Sequence, residues 1–194
     1  MLSDRYLSTD ELHALGLAAV GRDVLVDRAA ILVNPGRIRI GSGSRLDAFS
    51  IVTAGDGGVT IGSRVHLGAG CQIFGGGGPV TLDDFTCLSG RASLYTTCDD
   101  FTEGHLTNPT VSPEYRRVQC GAVTMHKHAL VGCGAVILPG VDLGRGVSIG
   151  AMSLVKASVP DFEVWGGVPA RRIGFRNAQR LLEFEARLLA AENA

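Results

Sequence analysis

An aliphatic residue returns at every sixth position through most of this chain, and that period constrains the fold more than any other feature. The late run is Met125, Val131, Ile137, Leu143, Ile149 and Val155. Earlier stretches keep the same step: Val26 and Leu32, then Ile40, Leu46 and Val52, then Ile61, Leu67 and Ile73, then Leu82, Leu88 and Leu94. Six is neither the 3.6 of a helix nor the alternation of a plain strand. It suits a short strand followed by a corner, so that three strands complete a triangular coil with one aliphatic pointing inward from each face. Two residues before each late aliphatic stands a small or β-branched residue, Val123, Ala129, Ala135, Val141, Val147 and Ser153, as a narrow interior requires. Glycine often follows the aliphatic, at Gly62, Gly68, Gly132, Gly144 and Gly150. There it is expected to supply corner conformations that other residues reach only with strain. The expected fold class is all-β, a parallel β-helix of hexapeptide repeats.

Composition supports one packed unit. The 194 residues are 45% hydrophobic but only 6% aromatic, with 27 glycines and no collagen period. Such a core is built from small and aliphatic side chains. A net charge of -1 argues against an electrostatic grip on nucleic acid or an anionic membrane. No apolar run approaches the roughly 20 residues of a membrane helix, and no basic segment with an apolar core marks a secretory signal at the N-terminus. Cys71, Cys87, Cys98, Cys120 and Cys133 are odd in number and lack CxxC spacing. They read as reduced thiols of a cytoplasmic protein, and no metal is expected.

Breaks in the period are informative. Inserts at Pro35–Gly36, Gly55–Gly58 and Gly75–Pro79 lengthen single steps. A larger break, residues 95–118, carries Asp99, Asp100, Glu103, His105, Asn108, Pro109 and Pro113. A loop of that length thrown from a regular solenoid is usually functional. Ser8 and Glu11 have capping-box spacing, so a short helix is expected to about Leu15. Asn177 to Asn193 reads as an amphipathic helix with a Leu181, Leu182, Leu188 and Leu189 stripe, able to pack on the prism or on a neighbouring subunit. The chain therefore divides into a helical cap, 1–22, the β-helix, 23–160, and a C-terminal strand and helix, 161–194.

The segment Trp165-Gly166-Gly167-Val168-Pro169-Ala170-Arg171-Arg172-Ile173 closes the repeat. Repeat and segment together resemble the hexapeptide-repeat sugar acetyltransferases near the galactoside and maltose O-acetyltransferase group. A second likeness, carried by Leu94 to Phe101 and Leu106 to Thr110, is to the O-antigen and capsule enzymes that acetylate nucleotide-linked amino sugars. The resemblance implies a left-handed helix, a homotrimer with sites between adjacent prisms, and acetyl-CoA as co-substrate. The positions matching CoA contacts are Cys133, Ala151, Lys156 and Arg171, with Arg172 and Arg176 nearby. Gly150 and Ala151 leave no side chain to block a pantetheine arm, and the basic residues suit its phosphates.

Galactoside-type members place a histidine early in the projecting loop to deprotonate a sugar hydroxyl. Asp99 stands at that position here. In one reading the acceptor is an amine, which attacks a thioester directly with little base assistance, while Asp99 or Asp100 orients the ammonium. In the other, a different histidine serves a hydroxyl: His128 near a corner, His105 in the loop, or His66 on an outer strand face. The expected function is acetyl transfer from acetyl-CoA to a sugar in surface-polysaccharide synthesis, leaning to the amine of a nucleotide-linked sugar over a galactoside or polysaccharide hydroxyl. The rival on this scaffold is a β-helix metalloenzyme of carbonic-anhydrase type, with zinc on His66, His126 and His128.

Overall fold

The computed structural model describes residues 5–192. It is a parallel β-solenoid whose strands stack into three sheets of six, eight and six strands, called I, II and III in the order the chain visits them. The sixfold aliphatics align coil upon coil. Ile40, Ile61, Leu82, Met125 and Leu143 form the ladder of sheet I. Val26, Leu46, Leu67, Leu88, Val131 and Ile149 form that of sheet II. Leu32, Val52, Ile73, Leu94, Ile137 and Val155 form that of sheet III. All are buried except Leu32, which is half-buried at the open end. The repeat also reaches back one step to Val20, so the first strand, Ala19–Val20, lies inside the segment read as a cap.

The glycines after the aliphatics have a different cause from the expected one. They are not the left-handed residues of the corners. That conformation falls three residues before most of the inward aliphatics, where Asp23, Phe49, Arg64, Phe85, Arg91, His128 and Met152 adopt it as well as Gly43, Gly70, Gly134, Gly140 and Gly146. Gly132 is instead required by stacking, since a Cβ there would lie 2.6 Å from the backbone nitrogen of Ala151 on the next coil.

Helix α1, Thr9–Ala14, begins with the expected capping box: Ser8 Oγ accepts from the Glu11 N–H at 3.3 Å and Glu11 Oε2 accepts from the Ser8 N–H at 2.7 Å. Its buried Leu12 joins the core at the open end. At the other end an antiparallel hairpin, Glu163–Gly167 and Ala170–Phe175, extends sheet II. Helix α2, Ala178–Glu192, then runs back along the corner between sheets I and II. The expected helix end at Asn193 and the first four residues of the cap lie outside the described residues. No described helix is long and apolar enough to cross a membrane.

All three short inserts and the long loop leave the prism at the corner between sheets III and I. The loop opens as an antiparallel ribbon, Thr97–Asp99 against Val118–Cys120. Stacking predicts that Gly132→Ala, which must push two coils apart, costs about 3 kcal/mol of unfolding free energy. Gly140→Ala, with open space around its Cβ but a φ of +78°, costs about 1 kcal/mol. Denaturant midpoints of the two variants check the order.

Candidate active site

The corner between sheets II and III carries a run of small residues at its tips. Its tips stack as Ala69, Gly90, Cys133 and Ala151, tied by hydrogen bonds from Arg91 N to Ala69 O, Gly134 N to Gly90 O and Met152 N to Cys133 O. A concavity of about 510 Å³ lies there, lined by Arg91, Cys133, Gly134, Ala151 and Met152. Cys133 and Ala151 are exposed, and Gly150 adjoins them, bonded through its N–H to Trp165 O at 2.8 Å. A linear, largely apolar chain can approach the backbone closely along such an edge. A larger hollow of about 910 Å³ sits at the N-terminal end among Leu7, Leu12, Arg22 and Val24, and holds none of the expected site residues.

The expected cationic partners divide. Lys156 follows sheet III on the far side from this corner, and Arg171 is exposed on the terminal hairpin. Arg172 pairs with Glu163 at 3.1 Å. Arg176 is a correction to the expected set. Its guanidinium donates to His128 O at 2.7 Å and Gly146 O at 3.4 Å, pinning the chain before α2 to the I/II corner, and burial pushes its pKa down.

The five expected catalytic residues fall in three places. His128 sits at the I/II corner, buried and stacked on Phe85 at 5.1 Å, with Nε2 2.8 Å from Glu185 Oε2 of α2. Glu185 also pairs with Lys127 and Arg145, so His128 belongs to the docking of α2 rather than to an open cleft. His66 lies on the outer face of sheet II as expected, but both its nitrogens are engaged. Nε2 is 2.8 Å from Asp47 Oδ2 and 3.0 Å from Arg45 Nη2, and Nδ1 is 3.7 Å from Cys87 Sγ. Burial pushes the Cys87 thiol up. Sequence reasoning missed this group. Its signal was that Arg45, His66 and Cys87 each precede an inward leucine in successive coils.

Asp99, Asp100 and His105 come together in the loop. Asp99 keeps its carboxylate largely free, with one contact of 3.3 Å from the Asn108 N–H. Asp100 is buried and committed. Its oxygens accept from the N–H groups of Thr102 and Glu103 at 2.9 Å, from the His105 N–H at 3.3 Å, and from His105 Nδ1 at 2.8 Å. The Glu103 and Thr102 donors and the His105 ring hold its carboxyl well below the usual carboxylate range. It organises the loop and cannot also orient an acceptor.

The three histidines of the metal reading share no site. His126 is held by Asp83 and Asp142 at the I/II corner, His128 by Glu185, and His66 lies on sheet II. Among the described residues, the ligand atoms that do approach one another belong to Asp100, Glu103 and His105.

No family model matches the chain. It is 35% identical to a dTDP-4-amino-4,6-dideoxy-D-glucose acyltransferase of Escherichia coli, over 93% of each chain. It is 27% identical to a putative lipopolysaccharide biosynthesis O-acetyl transferase of Escherichia coli K12, over 81% of this chain and 87% of that one. The solved structure of AntD, an N-acyltransferase from Bacillus cereus in complex with dTDP and 3-hydroxybutyryl-CoA, superposes with a TM-score of 0.93 at 37% identity, covering 98% of this chain and 100% of that one. AntD variants at one serine and at one aspartate, ten positions apart, hold coenzyme A with dTDP or the amino sugar. This chain belongs to the hexapeptide-repeat β-helix acyltransferases. It is an acyl-CoA-dependent transferase, with acyl-CoA as co-substrate.

One charged cluster at the I/II corner bears on stability. Burial pulls the His126 imidazolium down, but Asp142 and Asp83 outweigh it and the pKa is raised. A raised folded value means the contribution is complete below the unfolded pKa of about 6.5 and fades as pH rises through the folded value. His126→Gln is therefore expected to lower Tm at pH 5.5, with the gap to the parent closing in alkaline buffer. An equal gap at both pH values counts against the clamp.

Proposed function

We propose that this protein transfers an acetyl group from acetyl-CoA to the amine of a nucleotide-linked amino sugar used in surface-polysaccharide synthesis. The observation that carries the reading is the free Asp99 carboxylate at the loop root, where a histidine would serve a hydroxyl acceptor. A carboxylate suits an ammonium: it orients the group, and the neutral amine then needs little help to attack a thioester. Ser89, at the II/III corner, is also the one serine in this chain followed ten positions later by an aspartate, Asp99, the order and separation of the two residues varied in AntD. The pantetheine arm lies along Cys133, Gly150 and Ala151, and Arg171 and Arg172 of the terminal hairpin supply charge for the phosphates. Five free thiols are in keeping with the cytoplasm, a reducing compartment.

The working unit is a homotrimer. The outer face of sheet I is polar, with Arg39, Thr60, Thr81, Thr124 and Asp142 in register. The outer face of sheet III is more apolar, its ladder running Ile31, Ile51, Gln72, Ser93, Val136 and Leu154, with Phe74 stacked on Tyr95 at 5.1 Å beside it. Unpaired apolar area of that extent is a self-association surface.

Acetyl-CoA and dTDP-4-amino-4,6-dideoxyglucose should together release free CoA thiol, and either alone should not. Asp99→Ala is expected to lower kcat/KM about a hundredfold through misplacement of the acceptor. Turnover on plain galactosides with none on nucleotide-linked amines reverses the acceptor assignment. Sedimentation should show three copies for the parent chain and one for Val136→Glu.

A further inference from the structure

Asp47, His66 and Cys87 form a chain of contacts over three successive coils on the outer face of sheet II, and acyl transfer to a sugar uses none of them. His66 Nε2 lies 2.8 Å from Asp47 Oδ2, and His66 Nδ1 lies 3.7 Å from Cys87 Sγ. Asp47 is buried and braced in turn. Arg45 Nε is 3.1 Å from its Oδ1, Arg45 Nη2 is 3.2 Å from its Oδ2, and Arg5 Nη2 is 3.8 Å from its Oδ1. The His66 side chain is 37% exposed and Cys87 is half-buried, so the thiol can be reached from outside. A thiol, an imidazole beside it and a carboxylate on the far ring nitrogen are the parts of an activated nucleophile. The other thiols lack them. Cys71 is buried, donates to Leu88 O at 3.3 Å and Ser89 O at 3.0 Å, and is pushed up to about 11 by burial. Among the described residues no imidazole hydrogen-bonds to Cys98, Cys120 or Cys133.

Burial also pushes the Cys87 thiol up, and Cys133 across the seam adds to it. The resting group is a neutral thiol, so it becomes a nucleophile only when a base takes its proton during the attack. His66 is that base in one of its two neutral forms. With the proton on Nε2 the ring donates to Asp47, and Nδ1 keeps a lone pair for the Cys87 S–H. With the proton on Nδ1 the ring donates to sulfur, and Nε2 accepts from Arg45 Nη2 at 3.0 Å. A carboxylate on the far nitrogen favours the first form. The strand Cys87–Leu88 runs into the II/III corner, where the tip of this coil, Gly90, is stacked against the coil of Cys133. A pantetheine arm laid along Ala151, Gly150 and Cys133 carries its sulfur end to the coil of Cys87.

We propose that Cys87, with His66 as its base and Asp47 as the positioning residue, is a modification site for disulfides that carry a pantetheine arm, with CoA disulfide as the fitting reagent. This rests on the placement of the arm proposed above. The Cys87 sulfur attacks one sulfur of the disulfide while its proton passes to His66 Nδ1. The sulfur–sulfur bond breaks, and one CoA departs as a thiolate that takes the proton from His66 and leaves as free thiol. The other CoA stays bonded to Cys87, so one disulfide replaces another with no net oxidation. The bound CoA fills the corner that acyl-CoA needs, and a reducing thiol clears it.

The test mixes the reduced full chain with CoA disulfide and locates the adduct by peptide mass mapping. CoA is expected on Cys87 and not on the more exposed Cys133. Labelling should run at least about tenfold faster than with oxidised glutathione, which offers the same bond without the arm, and saturating acetyl-CoA should slow it. Transfer to dTDP-4-amino-4,6-dideoxyglucose should fall in step with labelling and return with dithiothreitol, while Cys87→Ser keeps the parental rate throughout. His66→Gln is expected to slow labelling about a hundredfold. Asp47→Asn, checked for an unchanged thermal transition, should also slow it and move the imidazole proton from Nε2 to Nδ1 in the nitrogen NMR spectrum at about pH 8, which a merely structural role would not do. Preferred labelling of Cys133, equal rates with oxidised glutathione, a parental rate in His66→Gln, or a parent ring protonated on Nδ1 overturns the proposal and leaves acyl transfer standing. Labelling that acetyl-CoA does not slow overturns the placement of the arm and the proposal together. Labelling is read without turnover, so a parent chain that gains CoA on Cys87 but acetylates no amino sugar removes the acceptor assignment and keeps this site.

Discussion

The in-register stacking of one inward aliphatic per strand is the interaction on which everything else in this molecule depends. Each ladder is contiguous through the prism, so the interior is a column of leucine, isoleucine and valine closed by strand-to-strand hydrogen bonds. Strands in a sheet lie only about 4.8 Å apart. That spacing leaves no room for a side chain at Gly62 or Gly132, where the next coil's backbone already stands. The second inward position is mostly small for the same reason, and where it is polar the coil can serve it, as when Ser44 Oγ donates to Gly62 O at 2.8 Å and accepts from the Val65 N–H at 3.0 Å, although the buried Ser50 Oγ has no such partner among the described residues.

A triangular column has three edges, and the chain gives each a separate chemistry. The II/III edge has alanine, glycine and Cys133 at its tips, with Arg91 and Met152 beside them, and can lie against a linear ligand. The III/I edge collects every insertion, because a corner can be lengthened without disturbing the ladders on either side. The I/II edge is ionic and receives α2 through Glu185, Arg176 and the His128 carbonyl. Side chains that sit near each other in sequence are dealt to different edges. His126 and His128 face α2, while Cys133, five residues later, faces the ligand edge.

Much of this was legible from residue spacing. The ladders, the capped α1, α2 and the long loop follow from the period and its interruptions, and Gly150, Ala151 and Cys133 do converge on one edge. Other residues were read correctly in position but not in partner. Nothing near Asp100 in the sequence says that its two oxygens would be filled by four donors while Asp99 stays open, since that depends on how residues 101–105 turn back. Arg176 looked like a phosphate ligand because it follows Arg171 and Arg172, yet an irregularity in the hairpin and the turn into α2 point it at another edge. The Asp47, His66 and Cys87 contacts were hidden because coil lengths, inserts included, decide which outer residues stack.

The sequence by itself determined that this chain must coil as a hollow-free prism, because a six-residue aliphatic period can be buried in no simpler way. It also marked Gly150 and Ala151 as a stretch with little side chain to block a linear ligand. Only the tertiary structure decided which ionisable groups meet. Pairing across coils, and across the hairpin into α2, joins residues tens of positions apart, and hydrogen-bond direction is set by backbone turns that the period does not encode.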